Sequence, residues 1–280
     1  MSHPLEVPEI RHRAAVLGSP IAHSRSPILH NAGYVELGMD DWDYSRIECT
    51  AADLPRIVAE ADGSHRGFSV TMPAKFAALD VADEVTERAR LIGSANTLVR
   101  TGSGWRADNT DCDGITGALN ELLGDLPGEA RRALVIGGGG TARPALWALV
   151  QAGFTDLTVI NRSDRSAELA PLLESADVAV RFRGFDSDLR GASRDAEVIV
   201  STVPSAAVAG YEQDLGHAPV LDVIYEPRPT PLTVAAAANG YPTVGGHVML
   251  AHQAYGQFEQ FTGREAPRAA MRQALEASLR

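Results

Sequence analysis

Six residues, Gly137-Gly-Gly-Gly-Thr-Ala142, restrict the fold of this chain more than any other stretch. They follow an apolar run, Ala133–Ile136, and open a helix-like stretch through Ala145–Gln151. The pattern is G-x-G-x-x-A at a strand–turn–helix junction, the setting of a dinucleotide-binding βαβ unit. Gly137 permits the tight turn, Gly139 lets the backbone approach a pyrophosphate, and Ala142 allows the helix to pack close on the strand. With Gly138, Gly140 and Thr141 these residues form a cofactor cradle at a helix N-terminus, where backbone N–H groups and the macrodipole favour an anion. The alternative is a merely flexible loop of four glycines.

Further strands are predicted at Leu157–Ile160, Val178–Phe182, Glu197–Ser201, Val220–Val223 and Pro242–Val244, with helical stretches between most of them. Short apolar strands alternating with helices predict a parallel, doubly wound α/β sheet. After the second strand an NAD site places an acidic residue that bonds the ribose 2′-hydroxyl. This chain has Asn161-Arg-Ser-Asp-Arg165 there. Arg162 and Arg165 suit a 2′-phosphate through charge-assisted bonds, and Asn161 and Ser163 add hydrogen bonds. The expected cofactor is NADP; the alternative is a solvated corner in which Asp164 tempers the arginines.

The first part of the chain also reads as α/β. Strands are predicted at Ala14–Leu17, Asp43–Glu48, Phe68–Val70, Thr97–Val99 and Trp105–Ala107, and helices near Pro27–Leu37, Asp53–Ala61 and Val81–Ile92. Asp113–Leu123 carries Ile115, Leu119, Leu122 and Leu123 at helical spacing and reads as a connector, broken by Gly124–Gly128. From Val248 the chain is helical, with Thr262-Gly263 and Pro267 separating two helices. The expected organisation is a substrate domain over 1–112, a Rossmann-like cofactor domain over 113–246, and terminal helices over 247–280 that return to the first domain.

Composition removes several functions. A formal net charge of −11 opposes nucleic acid and anionic membranes. No apolar run is long enough to span a bilayer, and the start of the sequence has no apolar signal core. Cys49 and Cys112 form neither a disulfide framework nor a metal-ligand spacing. The expectation is a cytoplasmic monomer or homodimer that binds a small molecule and no metal.

Polar residues crowd into a few rigid segments. Gly18-Ser-Pro-Ile-Ala-His-Ser-Arg-Ser-Pro-Ile-Leu-His-Asn31 sets Ser24 and Ser26 between two prolines that bias their neighbours towards extended backbone. If extended, the two hydroxyls share a face and suit a ligand rich in alcohols or carboxylates; otherwise the serines cap the helix that starts near Ser26. Gly67-Phe-Ser-Val-Thr-Met-Pro-Ala-Lys75 ends in a lysine that is either a solvated loop residue or a proton donor. Gly93-Ser-Ala-Asn-Thr97 places Asn96 just before a strand, as a turn residue or a ligand contact. Asp108-Asn-Thr-Asp-Cys-Asp-Gly114 supplies Asp108 and Asp111, which read singly as helix caps.

Together, in this order, these motifs resemble the NADP-dependent shikimate dehydrogenase family, from Val16 to about Gly263. The Gly18–Asn31 segment is similar to the family's G-x-P-I-x-H-S-x-S-P-x-x-H-N, which implies that Ser24 and Ser26 grip a substrate carboxylate. Val70-Thr-Met-Pro-Ala-Lys75 resembles V-T-x-P-x-K, implying a catalytic Lys75 and a substrate contact at Thr71. Asn96-Thr97 resembles the family's N-T, with Asn96 on a ring hydroxyl. Asp108-Asn-Thr-Asp111 matches D-N-T-D, with Asp111 paired to Lys75. The resemblance further implies substrate contacts at Tyr225 and Gln253, and cofactor contacts at Glu87, Val223 and Gly246. The chain departs from the family at Ser69, where many members carry Asn, and at Ser166, where the second arginine falls one residue early as Arg165.

The activity implied is reversible reduction of the 3-keto group of 3-dehydroshikimate to shikimate, in a cleft between domains. Lys75 would handle the proton. On the same scaffold, quinate or aminoshikimate dehydrogenase activity is the alternative. A non-catalytic NADP(H)-responsive regulator is the alternative of a different class, and the joint presence of Lys75 and Asp111 speaks against it.

Overall fold

The computed structural model describes residues 9–124, 131–174 and 176–280. The expected break over Gly124–Gly128 lies, past Gly124, outside the described residues. The chain divides into two compact units, one of residues up to Thr110 with Ala254–Arg280, the other Asp111–Gln253.

The first unit contains β1 (His12–Gly18), α1 (Ser26–Glu36), β2 (Trp42–Glu48), α2 (Leu54–Glu60), β3 (His65–Val70), α3 (Ala77–Asp80), β4 (Glu84–Val85), α4 (Glu87–Ile92), β5 (Thr97–Arg100) and β6 (Trp105–Asp108). Its sheet runs β2-β1-β3-β5-β6-β4. Ala14 to Leu17 of β1 are all buried, as befits a central strand covered on both faces. β1 is parallel to β2 and β3, whereas β5 is antiparallel to β3 and β6. The mixed direction matters, because the start of β5 then lies beside the ends of β3 and β6: Ser69 faces Thr97, and Thr97 faces Asp108.

The helix expected over Val81–Ile92 does not form as one element. Asp83 is drawn to the sheet instead: its N–H donates to the Trp105 carbonyl at 2.8 Å, and its carboxylate accepts from the Trp105 N–H at 2.8 Å. The next two residues pair with β6 as β4. Thr86 then restarts a helix, its hydroxyl accepting the Ala89 N–H as an N-cap. Glu87 in that first turn favours the positive end of the helix dipole.

The second unit contains α5 (Asp111–Leu123), β7 (Arg131–Ile136), α6 (Ala142–Gln151), β8 (Phe154–Ile160), α7 (Ser166–Leu173), β9 (Ala179–Arg183), α8 (Leu189–Asp195), β10 (Val198–Ser201), α9 (Glu212–Leu215), β11 (Val220–Asp222), α10 (Pro231–Ala238) and β12 (Thr243–Gly245). All its strand pairs are parallel, in the order β12-β11-β10-β7-β8-β9. That order reverses at β7, where a doubly wound sheet opens a crevice for a ligand.

α11 (Gly246–Thr262) begins in the second unit and ends in the first, and α12 (Arg268–Ser278) follows. The terminal residues pack into the first unit's core: a Cβ at Gly67 would stand 2.1 Å from the Phe261 ring. Met271 and Leu275, one turn apart on α12, are buried. Asn31 fixes α1 to β2, its side chain bonding both the N–H and the carbonyl of Tyr44 at 2.9 Å. Beside it His30 is buried, stacked on Tyr44 with centroids 4.1 Å apart.

Asp108 is not a cap of α5. Its carboxylate takes two bonds from the Arg88 guanidinium, at 2.7 and 2.6 Å, with Thr86 and Gln260 each at 2.8 Å. Burial opposes its ionisation, but the bonds and charge of Arg88 outweigh it and hold the carboxyl at about 2. Removing Arg88 strands a buried carboxylate. Arg88→Ala is expected to cost about 3 kcal/mol of stability, read by urea unfolding at pH 7; an unchanged midpoint would show the pair to be energetically idle.

Candidate functional site

Strand direction assembles the polar residues of the first unit. The segments after β1, β3 and β6 and the segment before β5 all leave the sheet at one end. Backbone bonds stitch these segments together. The Ser19 N–H donates to the Met72 carbonyl at 3.0 Å and the Thr71 N–H to the Leu17 carbonyl at 2.8 Å. The Ala95 N–H donates to the Lys75 carbonyl at 2.9 Å, and the Asn96 N–H to the Asp108 carbonyl at 3.2 Å. Thr71 and Lys75 therefore share one end of the sheet with Asn96 and with the loop that carries Ser24 and Ser26. Lys75 is half-buried, and Asn96 is buried.

The two serines do not lie on a common extended segment. Ser26 is the first residue of α1 and buried, while Ser24 sits in the loop before it. The helix has no side-chain N-cap bond; Ser24 Oγ only accepts the Ser26 N–H at 3.4 Å. Arg46 holds the loop, its guanidinium donating twice to the Ser24 carbonyl at 2.9 and 2.6 Å.

Asn96 is tightly oriented. Its Oδ1 accepts the Thr110 N–H and the Thr97 hydroxyl, each at 2.7 Å, so the amide oxygen is saturated by the protein. Its Nδ2 donates to Thr110 Oγ1 at 3.1 Å. The amide oxygen therefore has no lone pair left to offer a ligand.

In the second unit, Gly137 adopts φ +113°, and a Cβ there would stand 2.4 Å from Thr202 Oγ1. A Cβ at Gly139 or Gly140 would meet nothing within 4 Å, so packing within the protein does not demand these glycines. They leave open the surface at the N-terminus of α6 that a pyrophosphate needs. Next to this turn, Asn161 to Ser166 of the β8–α7 corner and Phe182 to Gly184 line a cavity of about 480 Å³. Asn161 Nδ2 donates to the Ser163 carbonyl at 3.0 Å. Arg165 lays its stem beside Gly138 and pairs its head with Glu168 at 2.9 Å. Arg162 and Arg183 make no ion pair or side-chain hydrogen bond among the described residues. The donor set thus fits a dinucleotide with a phosphorylated ribose.

Val223 and Gly246 come together, since a Cβ on Gly246 would fall 2.0 Å from the Val223 carbonyl oxygen. Tyr225 follows two residues later and is half-buried. Asp111 opens α5 and is buried, and Gln253 of α11 packs on the same helix beside Gly114. Glu87 is exposed in the first turn of α4, where the helix dipole already accounts for a carboxylate.

Two residues of these sites escape the sequence pattern. Arg183 lies on β9, in register with Ile160, and reaches the cofactor corner from the neighbouring strand. Gln257 of α11 enters the network behind Asn96.

Comparison with known proteins agrees with this arrangement. Residues 16–98 match the shikimate dehydrogenase substrate binding domain and residues 246–276 the shikimate 5′-dehydrogenase C-terminal domain. The crystal structure of Mycobacterium tuberculosis shikimate dehydrogenase superimposes with a TM-score of 0.89 at 54% identity, covering 95% of this chain and 99% of that one. The shikimate dehydrogenase (NADP(+)) of Roseobacter denitrificans is 36% identical over 90% of this chain and 92% of its own length. A pentafunctional AROM polypeptide of Saccharomyces cerevisiae is 35% identical, and there the chain spans 17% of the relative's length. With both a sheet-end polar cluster and a glycine turn on two α/β units, and identity along nearly the full length of the bacterial relative, the chain belongs to the shikimate dehydrogenase family of NADP-dependent oxidoreductases.

Proposed function

We propose that the chain catalyses the reversible reduction of the 3-keto group of 3-dehydroshikimate to shikimate with NADPH, in the cytoplasm, as a step towards aromatic amino acids. The observation that carries this reading is the gathering of Thr71, Lys75, Asn96 and the Ser24–Ser26 loop at one end of a single sheet. Ser24 and Ser26 hold the substrate carboxylate. Thr71 and Asn96 hold ring hydroxyls, and Tyr225 and Gln253 complete the contacts. Lys75 gives its proton to the oxygen that becomes an alkoxide, and Asp111 orients Lys75. When bound, NADPH supplies the hydride. Gly137, Gly138, Gly139, Gly140 and Thr141 would hold its pyrophosphate, and Asn161, Arg162, Ser163 and Arg183 its phosphorylated ribose. Glu87, Val223 and Gly246 would lie towards its nicotinamide end.

The test follows nicotinamide absorbance with purified protein, shikimate and either NADP+ or NAD+, with quinate and aminoshikimate in parallel. Reduction of NADP+ by shikimate is expected, and silence with shikimate would reject the reading. Arg162→Ala and Arg183→Ala are each expected to lower kcat/KM for NADP+ by about tenfold or more, since each removes a charge-assisted bond, while leaving NAD+ turnover unchanged. Equal losses with both cofactors would remove these arginines from 2′-phosphate recognition.

A further inference from the structure

A buried chain of hydrogen bonds runs behind Asn96, and two backbone groups fix the direction of its bonds through Gln257. The Asn96 backbone carbonyl can only accept. It takes the Val70 N–H at 2.7 Å and Gln257 Nε2 at 3.0 Å. This fixes the Gln257 amide, so its Oε1 must point the other way and accept, which it does from the Ser69 hydroxyl at 2.7 Å. Ser69 has spent its hydrogen there, so it must accept from the Tyr44 hydroxyl, at 2.5 Å.

A second backbone group fixes the other end. The Thr110 N–H can only donate, and it meets Asn96 Oδ1. Thr97 also gives its hydrogen to Oδ1, so Thr97 Oγ1 accepts from Gln257 Nε2 at 3.1 Å, with the Thr110 hydroxyl also 3.2 Å away. The two hydrogens of one amide nitrogen therefore hold both the Asn96 peptide and the hydroxyl that orients the Asn96 side chain. Gln257, Ser69, Thr97 and Asn96 are all buried, so no water competes for these bonds.

We propose that Gln257 is a positioning residue for substrate binding: its amide nitrogen locks Asn96 with Oδ1 turned inward and so fixes the orientation in which the Asn96 amide meets the substrate. The inference rests on the reading that Asn96 holds a substrate hydroxyl. It does not require Gln257 to touch the ligand. What it requires is a donor at the end of residue 257 that faces Asn96, while the end that faces Ser69 needs only an acceptor.

Gln257→Met keeps the length of the side chain and removes both ends. Gln257→Glu, buried and therefore protonated, keeps the acceptor towards Ser69 and one O–H towards the Asn96 carbonyl, and loses the second hydrogen, the one that holds Thr97. Each is expected to raise KM for shikimate about tenfold, the loss of one buried hydrogen bond, with KM for NADP+ unchanged and with native circular dichroism. A parental KM for shikimate in Gln257→Met would overturn the proposal. Should the Gln257 variants fail to fold, Thr97→Val reads the same link isosterically and is expected to raise KM for shikimate several-fold; a parental value would equally overturn it. Asn96→Ala separates the two ideas. If it raises KM for shikimate while Gln257→Met does not, the site stands and the positioning role falls. If Asn96→Ala leaves KM unchanged, the reading of the site falls and takes the positioning role with it.

Discussion

Lys75→Ala is expected to lower kcat by about 10²–10⁴-fold, the range over which positioned general acids act. The backbone at Lys75 is fixed by the bond from Ala95 to its carbonyl and by Ala74, buried in the core beside it. The substitution therefore removes an ammonium without removing a core side chain, and KM for NADP+ and the unfolding midpoint should stay near their parental values. Lys75→Arg sharpens the test. Arginine keeps the positive charge but cannot give up a proton near neutral pH. A loss with arginine close to that with alanine marks proton transfer as the role; substantial recovery marks electrostatic stabilisation of the alkoxide. If Asp111 orients Lys75, then Asp111→Asn and Lys75→Ala should be strongly non-additive, because residues that act as a unit lose their effect together. A kcat undiminished in Lys75→Ala would reject the assignment.

The second unit was largely legible because strands buried on both faces read as apolar runs, and the glycine turn fixes which of them is β7. The polar segments were legible because hydroxyls, amides and a lysine stand where a strand ends, held by proline or glycine. The stretch 81–92 was misread because its helical periodicity is local, whereas β4 is made by pairing with β6, twenty-two residues on. Asp108 read as a cap because its sequence neighbours suggest one; its true partner, Arg88, approaches from another element. Gln257 lay beyond sequence reasoning for a related cause, since the groups it holds, at Asn96 and Thr97, are 161 and 160 residues away. Polar residues with local partners can be read from spacing, and those with distant partners cannot.

His30 makes the first unit sensitive to acid. Burial pushes its imidazole down to about 3, with a weaker opposing pull from the Gln257 amide, and neither ring nitrogen makes a hydrogen bond of full geometry. The unfolded chain returns it to about 6.5. Between these values the unfolded state binds more protons than the folded one, so stability rises with pH across this window. The contribution is fully present above pH 6.5 and is lost as the pH falls towards 3, in total about 5 kcal/mol, at a limiting slope of about 1.4 kcal/mol per pH unit. Asp108, held at about 2, adds acid sensitivity only below the usual carboxylate range. Asp222, whose carboxyl is raised by burial, acts in the opposite sense, losing stability as it ionises. Over the interval from pH 6.5 to 5 the His30 contribution alone amounts to a loss of about 1.5 to 2 kcal/mol in urea unfolding, and comparison with a variant that cannot protonate there isolates it. His30→Phe keeps an aromatic ring against Tyr44 and cannot take a proton, so its unfolding free energy should be nearly flat over the same interval. An equal slope in the two proteins would place the acid sensitivity elsewhere and leave His30 as packing alone.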